Sequence, residues 1–134
     1  MSHPLIFPMA AHVAWTACLY VLLTAARAPA VWGVGRRPDG RNPWAKFEPR
    51  ISANLSNQFE WPLFFHIACV WLILDQDRGG LPWALAWIFI VGRVLHSLVQ
   101  VLTANVRLRG IVFTVNFLAV LAMWAWVLAR AIGQ

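Results

Sequence analysis

Apolar residues run along this chain in four long stretches, roughly 5–26, 57–74, 81–104 and 109–132, with short polar segments between them. At about 1.5 Å of rise per residue, each is of the length needed to cross a hydrocarbon layer about 30 Å thick. The pattern predicts an all-α chain forming one integral membrane domain, a four-helix bundle with little else and no internal repeat. The first stretch lies where a secretory signal would. No Lys or Arg precedes Arg27, however, the apolar run is long, and no small-residue cleavage site follows it, so it is read as a retained helix.

The polar interruptions carry more information than the apolar runs. Residues 27–48 are rich in Gly, Pro and Arg and predict a loop. Its GVG is not a phosphate-binding fingerprint, because no strand precedes it and no helix follows directly. The second helix starts at Pro49, ahead of its apolar part, and is expected to continue to residue 74. On a helical wheel Arg50, Asn54, Asn57 and Glu60 fall within an arc of about 120°, making one polar face. For Arg50 and Asn54 a solvated helix start is an equal alternative. Pro62 removes the hydrogen bond to the carbonyl of Gln58 and predicts a kink just beyond that face.

Glu60 lies about a turn inside the span, where an unpaired carboxylate is costly, and is expected to have a partner. In the third helix Arg93, His96, Ser97, Gln100 and Arg107 fall within about 100° of one another, a stripe that must face the bundle interior or a cavity. Glu60 is either the structural counter-ion of Arg93, or both serve a polar ligand. Antiparallel helices put Gln100 level with Glu60 and Arg93 about 10 Å deeper. A shared cavity therefore fits better than a direct bridge.

Composition confirms the solvent: 60% of the 134 residues are hydrophobic, against about 45–50% in soluble domains. The net charge of +6 sets orientation. Arg27, Arg36, Arg37, Arg41, Lys46 and Arg50, with Arg107 and Arg109 in the third turn, fall on one side, and only Arg78 and Arg130 on the other. The positive-inside rule makes the richer side cytoplasmic and both termini non-cytoplasmic. The basic residues flank apolar helices, which suits anionic headgroups and not nucleic acid. Cys18 and Cys69 fall inside predicted spans and read as packing residues, not as a disulfide. His12, His66 and His96 sit on different helices without metal-ligand spacing, so a metal site would need tertiary convergence, and His12 and His66 read as hydrogen-bonded intramembrane histidines. The nine tryptophans suit interfacial belts and helix contacts.

NQFEWP at the start of helix two, RVLH in helix three and a basic turn before helix four, on a four-helix chain of this length, resemble the membrane-associated proteins in eicosanoid and glutathione metabolism (MAPEG). The resemblance is specific in helices two and three and looser in one and four. It implies a homotrimer, of bacterial inner-membrane type, that binds glutathione between protomers near the cytoplasmic side. Members include glutathione transferases and leukotriene and prostaglandin synthases. Position by position, Asn57 and Glu60 match the pair that holds the peptide's amino end, and Arg93 and His96 match the arginine and histidine of helix three. Arg109 matches the arginine near the sulfur, and Arg27 a basic residue ending helix one. Gln100 stands where a ligand-contacting tyrosine is common. Ala53 replaces an arginine for which Arg50, nearly a turn back, is the substitute. The function implied is a glutathione-dependent transferase or peroxidase acting on lipophilic small molecules through an arginine-stabilised thiolate, Arg109 being the catalytic residue. The alternatives are a non-catalytic lipid- or glutathione-binding protein, or an accessory subunit of a larger membrane complex.

Overall fold

The computed structural model describes residues 2–133, and among them there is helix, turn and loop but no strand. Five helices follow in order: α1 (Ile6–Val31), α2 (Glu48–Ser56), α3 (Trp61–Leu74), α4 (Gly80–Leu102) and α5 (Val106–Ile132). Three of them, α1, α4 and α5, are long and apolar enough to cross a membrane.

The predicted second helix is two helices. α2 closes on 3₁₀-type bonds, from Gln58 N–H to the Leu55 carbonyl and from Phe59 N–H to the Ser56 carbonyl, and α3 starts only at Trp61. The expected kink at Pro62 is thus a full interruption two to five residues earlier. Pro62 offers no N–H to the Gln58 carbonyl, so the ladder cannot continue through it, and the proline instead occupies the first turn of a new helix, where its missing N–H costs nothing. The 14 residues of α3 span only about 21 Å, short of a hydrocarbon layer about 30 Å thick.

The other boundaries shift less. α1 runs five residues past its predicted end and contains Pro29, so the loop begins at Trp32. In that loop Gly33, Gly35 and Gly40 take φ of 72°, 74° and 80°, which only glycine adopts freely. α4 ends at Leu102, and α5 starts three residues before its predicted start of 109 because the Asn105 side chain caps it, accepting from the Leu108 N–H at 3.0 Å. Arg107 and Arg109 therefore belong to the first turns of α5. Arg107 is exposed and does not share the stripe of α4.

Two apolar clusters build the interior. Phe65, Cys69 and Leu72 of α3 pack with Ala86 and Phe89 of α4 and Val120 and Met123 of α5. Leu19, Leu23 and Ala26 of α1 pack with Ile51 and Leu55 of α2 and Val101 of α4. On α1 and α4 the buried polar residues lie between the two, at His12 and at Arg93, His96, Ser97 and Gln100, and Asn54 of α2 and Gln58 just beyond it join them. Val13, Val21, Ile111, Leu118 and Leu128 face outward, an apolar exterior suited to lipid. Cys18 is exposed, so the expectation that it packs holds only for the buried Cys69.

At the opposite end from the 27–48 loop, Arg130 of α5 pairs with Asp75 and, at 3.3 Å, with Asp77. The Trp126 indole donates to Asp77 at 2.7 Å. These contacts tie the α3–α4 turn to the end of α5.

Candidate functional site

The break between α2 and α3 frees the carbonyls that a continuous helix would have bonded to the next turn. In a membrane interior such groups need internal partners. Arg93 supplies one: its Nη2 donates to the Asn57 carbonyl at 2.9 Å and its Nε to Gln58 Oε1 at 3.3 Å. The interruption and the buried arginine thus satisfy each other. Arg93 is 1% exposed, and these two bonds engage two of the five N–H donors of its guanidinium.

Gln58 is the centre of the polar layer, and sequence reasoning passed over it. Its Oε1 also meets His12 Nε2 at 3.2 Å, and its Nε2 donates to the Asn54 carbonyl and Oδ1, both at 3.2 Å, and to Ser97 Oγ at 3.4 Å. Asn54 and Asn57 both donate to Gln100 Oε1, at 2.9 and 3.3 Å. The Trp15 indole donates to Ser97 Oγ at 3.1 Å, which itself donates to the Arg93 carbonyl. The signal that would have found Gln58 was its place four residues before Pro62, beside the freed carbonyls.

The predicted stripe of α4 is buried as expected at Arg93, His96, Ser97 and Gln100. The predicted face of the second helix is divided. Asn57, Glu60, Arg93 and His96 line one recess of about 460 Å³, closed by Trp61 and Phe113. Arg50, Gln100 and Arg109 line another of about 330 Å³, with Thr103 and the start of α5. Since Gln100 lines the second and Asn57 the first, their hydrogen bond forms part of the partition between them.

Glu60 departs from expectation. It is exposed, and among the described residues the ion pairs are Arg27 with Glu48, Arg41 with Asp39 and Arg130 with its two aspartates, none involving Glu60. The helix ends before Glu60, so its carboxylate sits at the mouth of the recess and not on a buried helical face. Glu60 and Arg93 share the recess without bridging, as their spacing predicted. Gln100 pairs with Asn54 and Asn57, about a turn from the level of Glu60 expected of it.

In the second recess Arg50 Nη1 donates to the carbonyls of Val101 and Thr103 at 3.4 and 3.3 Å, closing the end of α4. Arg109 lies one turn into α5, where the helix dipole opposes a cation. Arg50 and the exposed Arg109 line this recess together with the start of a helix, a positive lining of the kind that suits an anion. Arg27 belongs to neither recess; it pairs with Glu48 at 2.7 Å and donates to Ser52 at 3.2 Å.

A broken second helix carrying NQFE, an arginine buried on α4 and cations at the start of α5 form one constellation, and the family model for the MAPEG family matches residues 5–129. The chain belongs to the MAPEG family. It is accordingly an integral membrane protein of MAPEG type, with three helices apolar and long enough to cross the bilayer. No curated protein and no solved structure matches the chain. What this MAPEG protein binds must be argued from its two recesses. One pairs an acid with a buried arginine; the other holds two further arginines. His96 adds a buried Nδ1 with no partner among the described residues, 6.0 Å by ring centres from Phe113.

Proposed function

We propose that the chain binds glutathione across the two recesses and transfers it to, or uses it to reduce, lipophilic electrophiles. The observation that carries this reading is charge without pairing. Arg93 and Glu60 line one cavity without bridging, and Arg50 and Arg109 line the next with no carboxylate within ion-pair distance among the described residues. Glutathione has two carboxylates and one ammonium and supplies the complementary set. Asn57 and Glu60 would hold the ammonium, Arg93, His96 and Arg50 the carboxylates, and Arg109 the sulfur, with Gln100 between. Arg27 then acts from outside, steadying the start of α2 through Glu48.

A free thiol has a pKa near 8.5 and is mostly protonated at neutral pH; a guanidinium beside it favours the thiolate. The thiol proton leaves to solvent, the sulfur lone pair forms the new bond to the electrophilic atom, and the leaving group departs with its electron pair. No residue of the chain becomes covalently attached.

The same reading includes a second crossing made jointly by α2, the break and α3, both termini on the non-cytoplasmic side, a homotrimer in which a neighbouring copy closes the outward-facing recesses, and a bacterial inner membrane as the location. Binding without turnover is a second reading, and one observation favours it. The Gln100 amide oxygen is already occupied by Asn54 and Asn57, and the chain's one tyrosine, Tyr20, lies on α1. An accessory subunit with a purely structural Arg93 network is the third.

Calorimetric titration of glutathione into the purified protein separates them. Glu60→Gln should weaken binding by about 1.5–3 kcal/mol, the range for a hydrogen bond to a charged group, with melting temperature retained. Arg109→Leu should remove the thiolate absorbance of bound glutathione and keep the fold. Unchanged affinity in Glu60→Gln together with a collapsed melting temperature would leave only the structural reading. Binding that survives while conjugation of a generic electrophile stays at background in the parent protein selects the non-catalytic one.

A further inference from the structure

A third recess, of about 410 Å³, opens on the His12 side of Gln58, between α1 and α3. Its walls are largely apolar, from Val13, Ala17, Phe59 and Leu63, and among the described residues no Arg, Lys, Asp or Glu lines it. Its polar residues are Thr16, whose hydroxyl donates to the His12 carbonyl, Tyr20, Gln58 and the pair His12 and His66, whose Nδ1 and Nε2 respectively stand 3.1 Å apart.

The hydrogen positions on these rings follow from Arg93. Arginine only donates, so the Gln58 atom that it meets is the carbonyl oxygen. That oxygen only accepts, so His12 Nε2 carries a hydrogen. With both rings neutral, His12 Nδ1 then holds a lone pair and accepts from His66 Nε2–H. His66 Nδ1 is left as a lone pair with no partner among the described residues. The chain thus presents a fixed, unengaged acceptor to a largely apolar cavity.

We propose that this recess is a second small-molecule site, taking a lipophilic aromatic alcohol whose hydroxyl donates to His66 Nδ1. A carboxylate finds no cation there, and at His66 Nδ1 a carbonyl would set one lone pair against another. Tyr20 and Phe59, 6.3 Å apart in edge-to-face geometry, offer ring faces and edges to an aromatic body. The volume lies in the ordinary range for ligand cavities, about 300–1,000 Å³. Ligand, His66, His12 and Gln58 then donate in one direction, and each bond polarises the next. Phe59 and Leu63 also line the recess of Glu60 and Arg93, but none of the polar residues of this site, His12, Thr16, Tyr20, Gln58 and His66, lines either recess described above, so its recognition does not depend on glutathione.

The test compares 1-naphthol with 1-methoxynaphthalene, which has the same ring body without the donor, on the purified full chain. Naphthol should bind about five- to tenfold more tightly, the net value of one hydrogen bond. In protein carrying ¹⁵N-histidine, it should shift the Nδ1 resonance of His66, and saturating glutathione should leave its affinity unchanged. His66→Phe should remove the difference between the two compounds while both still bind. Should that variant not fold, the resonance shift in the unaltered protein decides alone. Equal affinities, an unmoved His66 signal, no binding of naphthol, or its displacement by glutathione would each overturn the proposal.

Discussion

Gln58→Leu tests whether the polar layer is held by one side chain. The substitution keeps the volume nearly constant and deletes five polar contacts, to His12, Arg93, Ser97 and twice to Asn54. Asn54 and Ser97 retain other partners, in Gln100, Trp15 and the Arg93 carbonyl. His12 Nε2 does not, and Arg93 keeps only the Asn57 carbonyl. A buried donor left without a partner costs about 1–3 kcal/mol, more when charged, and stripping one partner from a buried charge costs about 3–5 kcal/mol. The expected loss is about 3–5 kcal/mol, read as unfolding in mixed micelles by tryptophan fluorescence. Adding Arg93→Met removes the stranded charge, so the double variant should recover about 1–3 kcal/mol relative to additivity. A loss below about 1 kcal/mol for Gln58→Leu, or strictly additive effects, would refute the argument, since Arg93 would then be held by something other than Gln58.

Gly92→Ala should destabilise by about 1–3 kcal/mol or more, because its new Cβ would lie 2.0 Å from Oδ1 of the fully buried Asn116. Asn116→Ala in the same chain should restore most of that loss in the same unfolding assay, as the Asn116 amide has no partner to give up among the described residues. A C-terminal reporter active only in the cytoplasm should stay silent if α2 and α3 together make a crossing; strong signal would put the termini on opposite sides. Native mass spectrometry in mild detergent should show a trimer, and monomer alone would favour the accessory-subunit reading.

The parts of this fold legible in the sequence were those written as long repeats. α1, α4 and α5 are apolar over more than twenty residues, and the burial of Arg93, His96, Ser97 and Gln100 follows from spacings of three, four and seven. The interruption after Ser56 was not legible, because residues 49–74 keep their wheel pattern straight through it; Pro62 marked only its neighbourhood. That misreading placed Glu60 on a buried face and Arg50 on the same face as Asn57. Arg107 matches the angular spacing of the α4 stripe but lies beyond that helix, because Thr103 ends α4 and Asn105 caps α5. The dual role of Gln58 depends on three helices meeting, which no local pattern encodes.

The order of the chain decides how Arg93 enters the bilayer. An arginine at the centre of a lone apolar helix opposes membrane insertion by about 2.5–3.5 kcal/mol. Its two acceptors, the Asn57 carbonyl and Gln58 Oε1, are synthesised more than thirty residues before it. When α4 leaves the ribosome, the broken segment that will receive its charge is already made. A permuted chain that delivered α4 first would hold that arginine without a receptor during biogenesis, although its finished contacts would be the same.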